Sequence, residues 1–429
     1  MKTETISIFW FRRDLRLYDN AGLYAAVESG SAILPIFIFD ENIITELPED
    51  DARVNFIYDS LMKMQNSLAA QGKGLLIKKG DPLTVLRGLA QEYEIDSIHT
   101  NSDYEPYARK RDKSVADWAK SEGITFNRYK DQVIFEPTEV LKDDGNPYTV
   151  YTPFKNKWLA RFKETQLEVY PEIALESFVD SPADFPSKAD LGIADSEIKV
   201  PDFHLDVVPT YKETRNFPAQ DGTSRLGPHL RFGTVGIRQL VKDVYKFEGT
   251  FLSELIWREF FMQILYHYPH VVNNNFRAKY NGIPWRNNKE EFERWCSGQT
   301  GYPLVDAGMR ELNETGYMHN RVRMITAGFL CKHLLIDWRW GEAYFAKKLL
   351  DFELASNNGN WQWAAGTGCD AAPYFRVFNP TTQIDKFDKQ RAYIQKWVPE
   401  HESPDYAAPM VEHKMARERA IFTYKEALT

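Results

Sequence analysis

The first 130 residues alternate short apolar, β-rich runs with helical patterns, and that alternation leaves few folds open. The runs are Ile6 to Phe11, Ile33 to Phe39, Leu75 to Ile77, Ile98 to Thr100 and Ile124 to Phe126. Near-continuous apolar runs fit strands covered on both faces, as in parallel sheets. Between them Phe56, Ile57, Leu61, Met64 and Leu68 recur at helical spacing, and Asp81-Pro82 offers an N-cap followed by proline at the first helical position. The expected fold is α/β, a doubly wound parallel five-stranded sheet over residues 1–130. No GxGxxG follows the first run, and the GTG at Gly366 to Gly368 is too short and too far downstream to stand in for one.

From Asp131 to Thr210 the periodicity fades among Asp, Ser and Pro, as in SPADFPSKADLGIAD, which predicts a connector over 131–210. Residues 211–429 are helical in pattern: Phe251 to Tyr268, Leu304 to Thr315, His319 to Ile336 and Gly341 to Leu354, with Gly316 where a helix end needs a left-handed residue. This second domain is expected to be all-α. No window reaches the ~18 apolar residues of a membrane span, and MKTETISIFW lacks the layout of a signal peptide. A cytoplasmic protein without a membrane partner is expected. Cys296, Cys331 and Cys369 are odd in number and lack CxxC spacing, which supports neither a disulfide framework nor a metal site. The net charge of -8 weighs against a nucleic-acid partner only on average, because acid is concentrated in Asp40 to Asp51 and Asp180 to Asp206. A basic face elsewhere remains open.

Chemistry-bearing residues gather in the second domain. Seven tryptophans, Trp257, Trp285, Trp295, Trp338, Trp340, Trp361 and Trp363, stand among Asn, Arg and carboxylates between Glu254 and Arg376. A plain core would use Leu, Ile and Val instead, so stacking or electron transfer is indicated. Glu254, Trp257, Arg258 and Phe261 share one helical face, which either lines a pocket for a stacked base or forms a solvated Glu254–Arg258 pair beside a packed indole. Taken alone, that helix favours the pair. Asn320 and Met324 share a face at i and i+4, flanked by Arg321 and Arg323, and fit either a base or flavin edge or a capping Asn and a core Met. In DFELASNNGNWQW, Asn357 to Asn360 are expected to break the helix and present Trp361 and Trp363 at a turn. In GTSRLGPHLRFG, Thr223 and Ser224 precede a helix start, as an anion site or a capping loop would.

These strings resemble the class I DNA photolyase and cryptochrome family. The match runs from WFRRDLRLYDN through TSRLGPHLRFG, ELIWREF, TGYPLVDAGMRELNETGYMHNRVRM, DWRWGE, NNGNWQW and FNPTTQIDKFD, with the connector the weakly matching part. The resemblance implies a helical FAD-binding domain with FAD held by Tyr211, Thr223, Ser224, Arg225, Leu226, Gly227, Arg323, Asp351, Phe352, Glu353 and Asn357, Arg323 pairing with Asp351. It implies an electron relay through Trp361, Trp338 and Trp285. It also implies a lesion cavity of Glu254, Trp257, Asn320, Met324 and Trp363 matching cyclobutane pyrimidine dimer photolyases, whereas (6-4) enzymes carry histidines at the Asn320 and Met324 positions. Arg258, Arg321, Arg376 and Gln383 would contact DNA, and the catalytic set is Glu254, Asn320, Met324, Asn357 and the three relay tryptophans. Two departures, Gly227 where many relatives have a hydroxyl and Glu353 for the commoner Asp, leave the site in place. The implied activity is light-driven repair of dimers in DNA by a monomer, with a cryptochrome-type blue-light photoreceptor as the alternative; Asn357 and the end at Thr429, without a long signalling tail, weigh for repair. Tyr107 and Ala108 stand where folate-antenna relatives carry Asn and Glu, which argues against folate and leaves a deazaflavin, FMN or no antenna open.

Overall fold

The structure, a computed structural model, describes residues 5–180, 184–247 and 249–428. Residues 181–183 of the Asp- and Pro-rich string lie outside the described residues. The chain forms two compact units: residues 1–140, 157–203 and 226–246, and residues 141–156, 204–225 and 247–429.

In the first unit, strands β1 (Thr5–Phe11), β2 (Ala32–Asp40), β3 (Leu76–Gly80), β4 (Glu94–Asn101) and β5 (Thr125–Tyr129) form one parallel sheet in the order β3-β2-β1-β4-β5. Successive side chains point to opposite faces. Phe9 and Phe11 therefore join Leu23, Ile33, Phe37, Leu61 and Leu68 on one side, and Ile6, Ile8 and Trp10 join Leu34, Ile36, Leu86 and Val115 on the other. Two cores explain why the strands read as continuous apolar runs rather than alternating ones. Helices Ala52–Ala69 and Pro82–Glu92 stand where expected, the second capped by Asp81, whose carboxylate accepts from the Thr84 amide at 2.9 Å.

The RRDLR string after β1 turns out to be a buried ion-pair hub. Arg16 donates to Asp131 at 2.7 Å, and Arg238 donates to Asp131 at 2.6 Å and to Asp19 at 2.7 Å. Arg13 meets Asp103 and Glu105 at 3.3 and 3.0 Å, and Glu105 also takes Arg231 at 2.7 Å. Gly233, at φ +68°, lets its chain pass close by, since a Cβ there would lie 2.1 Å from the Arg13 carbonyl oxygen.

The stretch expected to be an irregular connector contains a 14-residue helix, Tyr151–Glu164. Tyr151, Phe154, Trp158 and Phe162 fall at i, i+3, i+7 and i+11, one helical stripe, and all four are buried. The acidic, proline-rich sequence that follows hid this stripe. In the second unit the helices include Gly249–His267, Pro303–Thr315, Asn320–Gly328, Trp338–Lys348, Leu354–Ala365 and His413–Glu426. Gly316 ends its helix at φ +67°. The run expected as one helix from His319 to Ile336 is α-helical to Gly328 and continues as a single wide π turn, Phe329–His333. The expected helix Gly341 to Leu354 begins earlier, at Trp338 capped by Asp337, and stops at Lys348. Among the described residues, no helix is long and apolar enough to cross a membrane, and the three cysteines are unpaired.

Burial raises the Asp131 carboxyl, but Arg16 and Arg238 outweigh it, so the group sits below the ordinary carboxylate value. A depressed carboxyl contributes stability above its unfolded pKa, about 3.9, that is lost as pH falls through the folded value. Asp131→Ala is expected to remove ~3 kcal/mol at neutral pH by leaving two buried guanidinia short of a partner. Urea titrations should show the gap from the parent protein closing below about pH 4; a gap that is absent at pH 7, or constant into acid, would count against this hub.

Candidate functional site

Two helices of the second unit carry most of the residues singled out from the sequence. Gly249–His267 buries Leu255, Ile256, Phe260 and Ile264 and leaves Glu254, Trp257 and Arg258 half-buried. Leu354–Ala365 lies against it at Gly359, where a Cβ would fall 2.1 Å from a ring carbon of Phe261. Contrary to expectation, Asn357 to Asn360 do not break this helix. The Asn358 amide donates to the Val271 carbonyl at 3.0 Å, Gln362 to the same oxygen at 3.0 Å, and Asn360 to Ser356 at 2.8 Å. With those partners three asparagines and a glycine continue as helix, and the break falls upstream, between Lys348 and Leu354. Trp361 and Trp363 therefore project from a rigid helix rather than a turn.

Glu254 pairs with Arg215, which lies outside its own helix, where the helix alone suggested Arg258. Burial raises its carboxyl above the ordinary range despite that guanidinium. Arg215 lies in a loop that no motif marked, so the sequence held no signal for it. Trp257 carries Tyr151 on one face, ring centroids 3.6 Å apart at 8°, and touches Phe260 and Phe261 at 5.6 and 5.4 Å. On the Asn320–Gly328 helix, Asn320 is exposed and Met324 half-buried, with the Arg321 guanidinium 3.7 Å from the Met324 sulfur. The cap of that helix is His319, not Asn320. Arg321 also donates to Asn216 at 2.6 Å and lies over Phe387. Burial, then Arg215 and Arg376, lowers the Arg321 pKa, the mark of a local concentration of positive charge in a chain of net -8. Arg376 is exposed and Gln383 half-buried.

A second group stands around Arg323, which forms the expected fork with Asp351 at 3.1 and 2.9 Å and donates to the Met318 carbonyl. Arg225 lies 3.9 Å over Tyr317, whose hydroxyl is 3.0 Å from that of Thr223. Tyr211 is half-buried against Phe251, Ser224 is buried, and Phe352 follows Asp351 half-buried. Glu353 caps the Leu354–Ala365 helix, accepting from the Ser356 amide at 3.0 Å and hydroxyl at 2.9 Å. Asn357 donates to the Glu342 carboxylate at 2.8 Å, and burial raises that carboxyl. Leu226 and Gly227 open a short helix, Leu226–Phe232, that belongs to the first unit.

Comparison with known proteins gives this arrangement its context. Residues 251–405 match the family described as the FAD binding domain of DNA photolyase, and residues 7–172 match the family described as DNA photolyase. A deoxyribodipyrimidine photo-lyase of Halobacterium salinarum (strain ATCC 700922 / JCM 11081 / NRC-1) is 37% identical over 479 residues, which span 98% of this chain and 99% of that protein. The chain belongs to the DNA photolyase family. Among solved structures, a bacterial class III photolyase from Agrobacterium tumefaciens matches this chain with a TM-score of 0.87 at 33% identity, over 100% of this chain and 98% of that one. An archaeal photolyase from Sulfolobus tokodaii, described with two FAD molecules, matches with a TM-score of 0.86 at 34% identity, over 98% and 99% of the two chains.

The residues present suit FAD. His319 accepts the Arg321 amide on Nδ1, so its proton sits on Nε2, and among the described residues that buried nitrogen has no partner; neither has Arg321 Nε. Burial, then Arg323, Arg225, Arg321 and Arg215, pushes the His319 pKa down to about 4, keeping the ring neutral. Unanswered donors among guanidinia suit a diphosphate-bearing cofactor or a nucleic-acid backbone.

The three tryptophans expected to relay electrons differ in burial. Trp361 and Trp338 are buried and Trp285 half-buried. Trp338 Nε1 donates to Asn275 at 2.8 Å, Trp361 packs on Phe345 and Trp295 at 4.9 and 6.1 Å, and Trp285 meets Tyr424 edge-on at 5.8 Å. The Trp361 ring reaches the helix carrying Trp338 at Gly341, where a Cβ would lie 2.1 Å from the indole and 2.6 Å from Leu330. In an ordinary helix Gly→Ala is favourable by ~1 kcal/mol. Here overpacking of ~1–3 kcal/mol opposes it. Gly341→Ala is expected to lower the denaturation midpoint and shift tryptophan emission; unchanged or raised stability would contradict the close contact.

Proposed function

We propose that this protein repairs cyclobutane pyrimidine dimers in DNA when illuminated. The observation that carries the reading is that the helix holding Glu254 and Trp257 packs, at Phe261, against Gly359 of the helix holding Asn357, Trp361 and Trp363. It is supported by the photolyase relatives matched along almost the whole chain.

In this reading Tyr211, Thr223, Ser224, Arg225, Arg323, Asp351, Phe352, Glu353 and Asn357 hold FAD. Bound FAD, reduced and excited by blue light, supplies the electron that opens the cyclobutane ring and then receives it back. The protein's own side chains do the rest. A dimer stacks poorly, so turning it out of the duplex costs less than turning out normal bases, and the difference becomes selectivity. Trp257 and Trp363 stack on it, while Asn320 and Met324 border it. Glu254 hydrogen-bonds the pyrimidine edge where negative charge develops. Burial raises the pKa of this carboxyl, and the Arg215 guanidinium opposes that shift. Arg258, Arg321, Arg376 and Gln383 contact the backbone, giving binding that is independent of sequence and sensitive to salt. Trp361, Trp338 and Trp285 would pass electrons from an external reductant, met at the half-buried Trp285, toward a flavin that had become oxidised.

A cytoplasmic monomer is the proposed working form. A deazaflavin, FMN or no antenna is proposed ahead of folate, on the identity of Tyr107 and Ala108; the Tyr107 hydroxyl donates to Asp40 at 2.7 Å.

Glu254→Ala is expected to reduce the quantum yield of dimer repair by roughly 10²-fold, the loss typical of one donor aimed at developing charge. Its Kd for dimer-containing duplex should move little. Equal losses of yield and affinity, measured by flash repair and by titration at fixed salt, would contradict the role.

A further inference from the structure

Tyr151, the first residue of the helix Tyr151–Glu164, touches the proposed lesion cavity from behind. Its ring covers one face of Trp257 almost in parallel. The tyrosine is held at several points at once. Its hydroxyl donates to the Ser253 carbonyl at 2.7 Å and lies 2.6 Å from the Ser253 hydroxyl, its backbone N–H donates to Asp370 at 3.0 Å, and its ring meets Phe260 edge-on at 5.8 Å. Ser253 sits one turn before Trp257 on the same helix, so a single side chain clips both the helix and the indole that projects from it. Tyr151 is only 7% exposed and is therefore shielded from a base, whereas Trp257 keeps exposed surface.

An indole has two side-chain torsions and loses freedom when a flat ligand demands one plane. If that plane is set beforehand, the loss falls on folding rather than on binding. We infer that Tyr151 is a positioning residue for lesion recognition, fixing the plane of Trp257 so that its free surface meets an everted pyrimidine dimer without rearrangement. The inference rests on the stacking of Trp257 against the lesion proposed above. Packing alone would act differently: a residue that merely supports the fold changes FAD retention and all DNA affinities together, whereas a residue that orients one stacking partner changes the preference for damaged over intact DNA.

The test uses the FAD-loaded parent protein and the variants Y151L, Y151F and W257A. Each is titrated, at one fixed salt concentration, with a labelled duplex carrying a single thymine dimer and with the same duplex undamaged. Y151L should lower the damaged-to-undamaged affinity ratio by roughly threefold to tenfold, the scale of an aromatic pair contact. Its affinity for the undamaged duplex and its bound FAD should stay close to those of the parent protein. Y151F keeps the ring and should keep the ratio. If Y151L does not yield folded, flavin-loaded protein, Y151M, of similar bulk but without a plane, is judged by the same criterion. A ratio unchanged in Y151L while W257A lowers it overturns the positioning role, as does a parallel loss of both affinities. A ratio unchanged in W257A as well overturns the lesion-stacking reading itself.

Discussion

The close approach of the helices Gly249–His267 and Leu354–Ala365 is the contact on which the rest of the second unit depends. Gly359 has no Cβ, and any Cβ there would intrude on the Phe261 ring at 2.1 Å. That contact joins the helix that carries Glu254 and Trp257 to the helix that begins after Glu353. The amide groups of Asn358 and Gln362 then tie the second helix to the Val271 carbonyl just beyond the first. Side chains on stiff, mutually packed elements are better held than side chains on loops. Side chains carried this way gain precision at positions where a turn would have allowed drift.

Charge is handled in the same spirit. In the first unit, arginines and aspartates of the RRDLR region are buried in reciprocal pairs, so that motif is structural within that unit. In the second unit Arg215, Arg225, Arg321, Arg323 and Arg376 are close enough to perturb one another or His319. Part of their charge is answered, by Glu254, Asp351 and Asp221. A net charge of -8 therefore coexists with a basic neighbourhood able to meet phosphates.

Much of this was legible in the sequence, and the exceptions have physical reasons. The five strands could be read because each is covered on both faces and carries an unbroken apolar run. The fork between Arg323 and Asp351 followed from family resemblance rather than from pattern. The NNGN string reads as a turn because asparagine amides compete for backbone partners, and the helix persists because Val271, Glu342 and Ser356 answer those amides while Gly359 packs on Phe261. The helix Tyr151–Glu164 was overlooked because an aromatic stripe at helical spacing lies beside a long polar segment. Missing that helix also hid Tyr151. Arg215, isolated in a loop, offered no periodicity at all, so the partner of Glu254 emerged only in three dimensions.

The central claim is that these residues turn light into repair of a fused pyrimidine pair. Its most direct test follows thymine dimers in an oligonucleotide mixed with the FAD-loaded, reduced protein under blue light, beside an identical sample kept dark. The account predicts that dimers disappear and intact thymines return only in the illuminated sample. Dimers that persist under light, with the flavin bound and reduced, would contradict it.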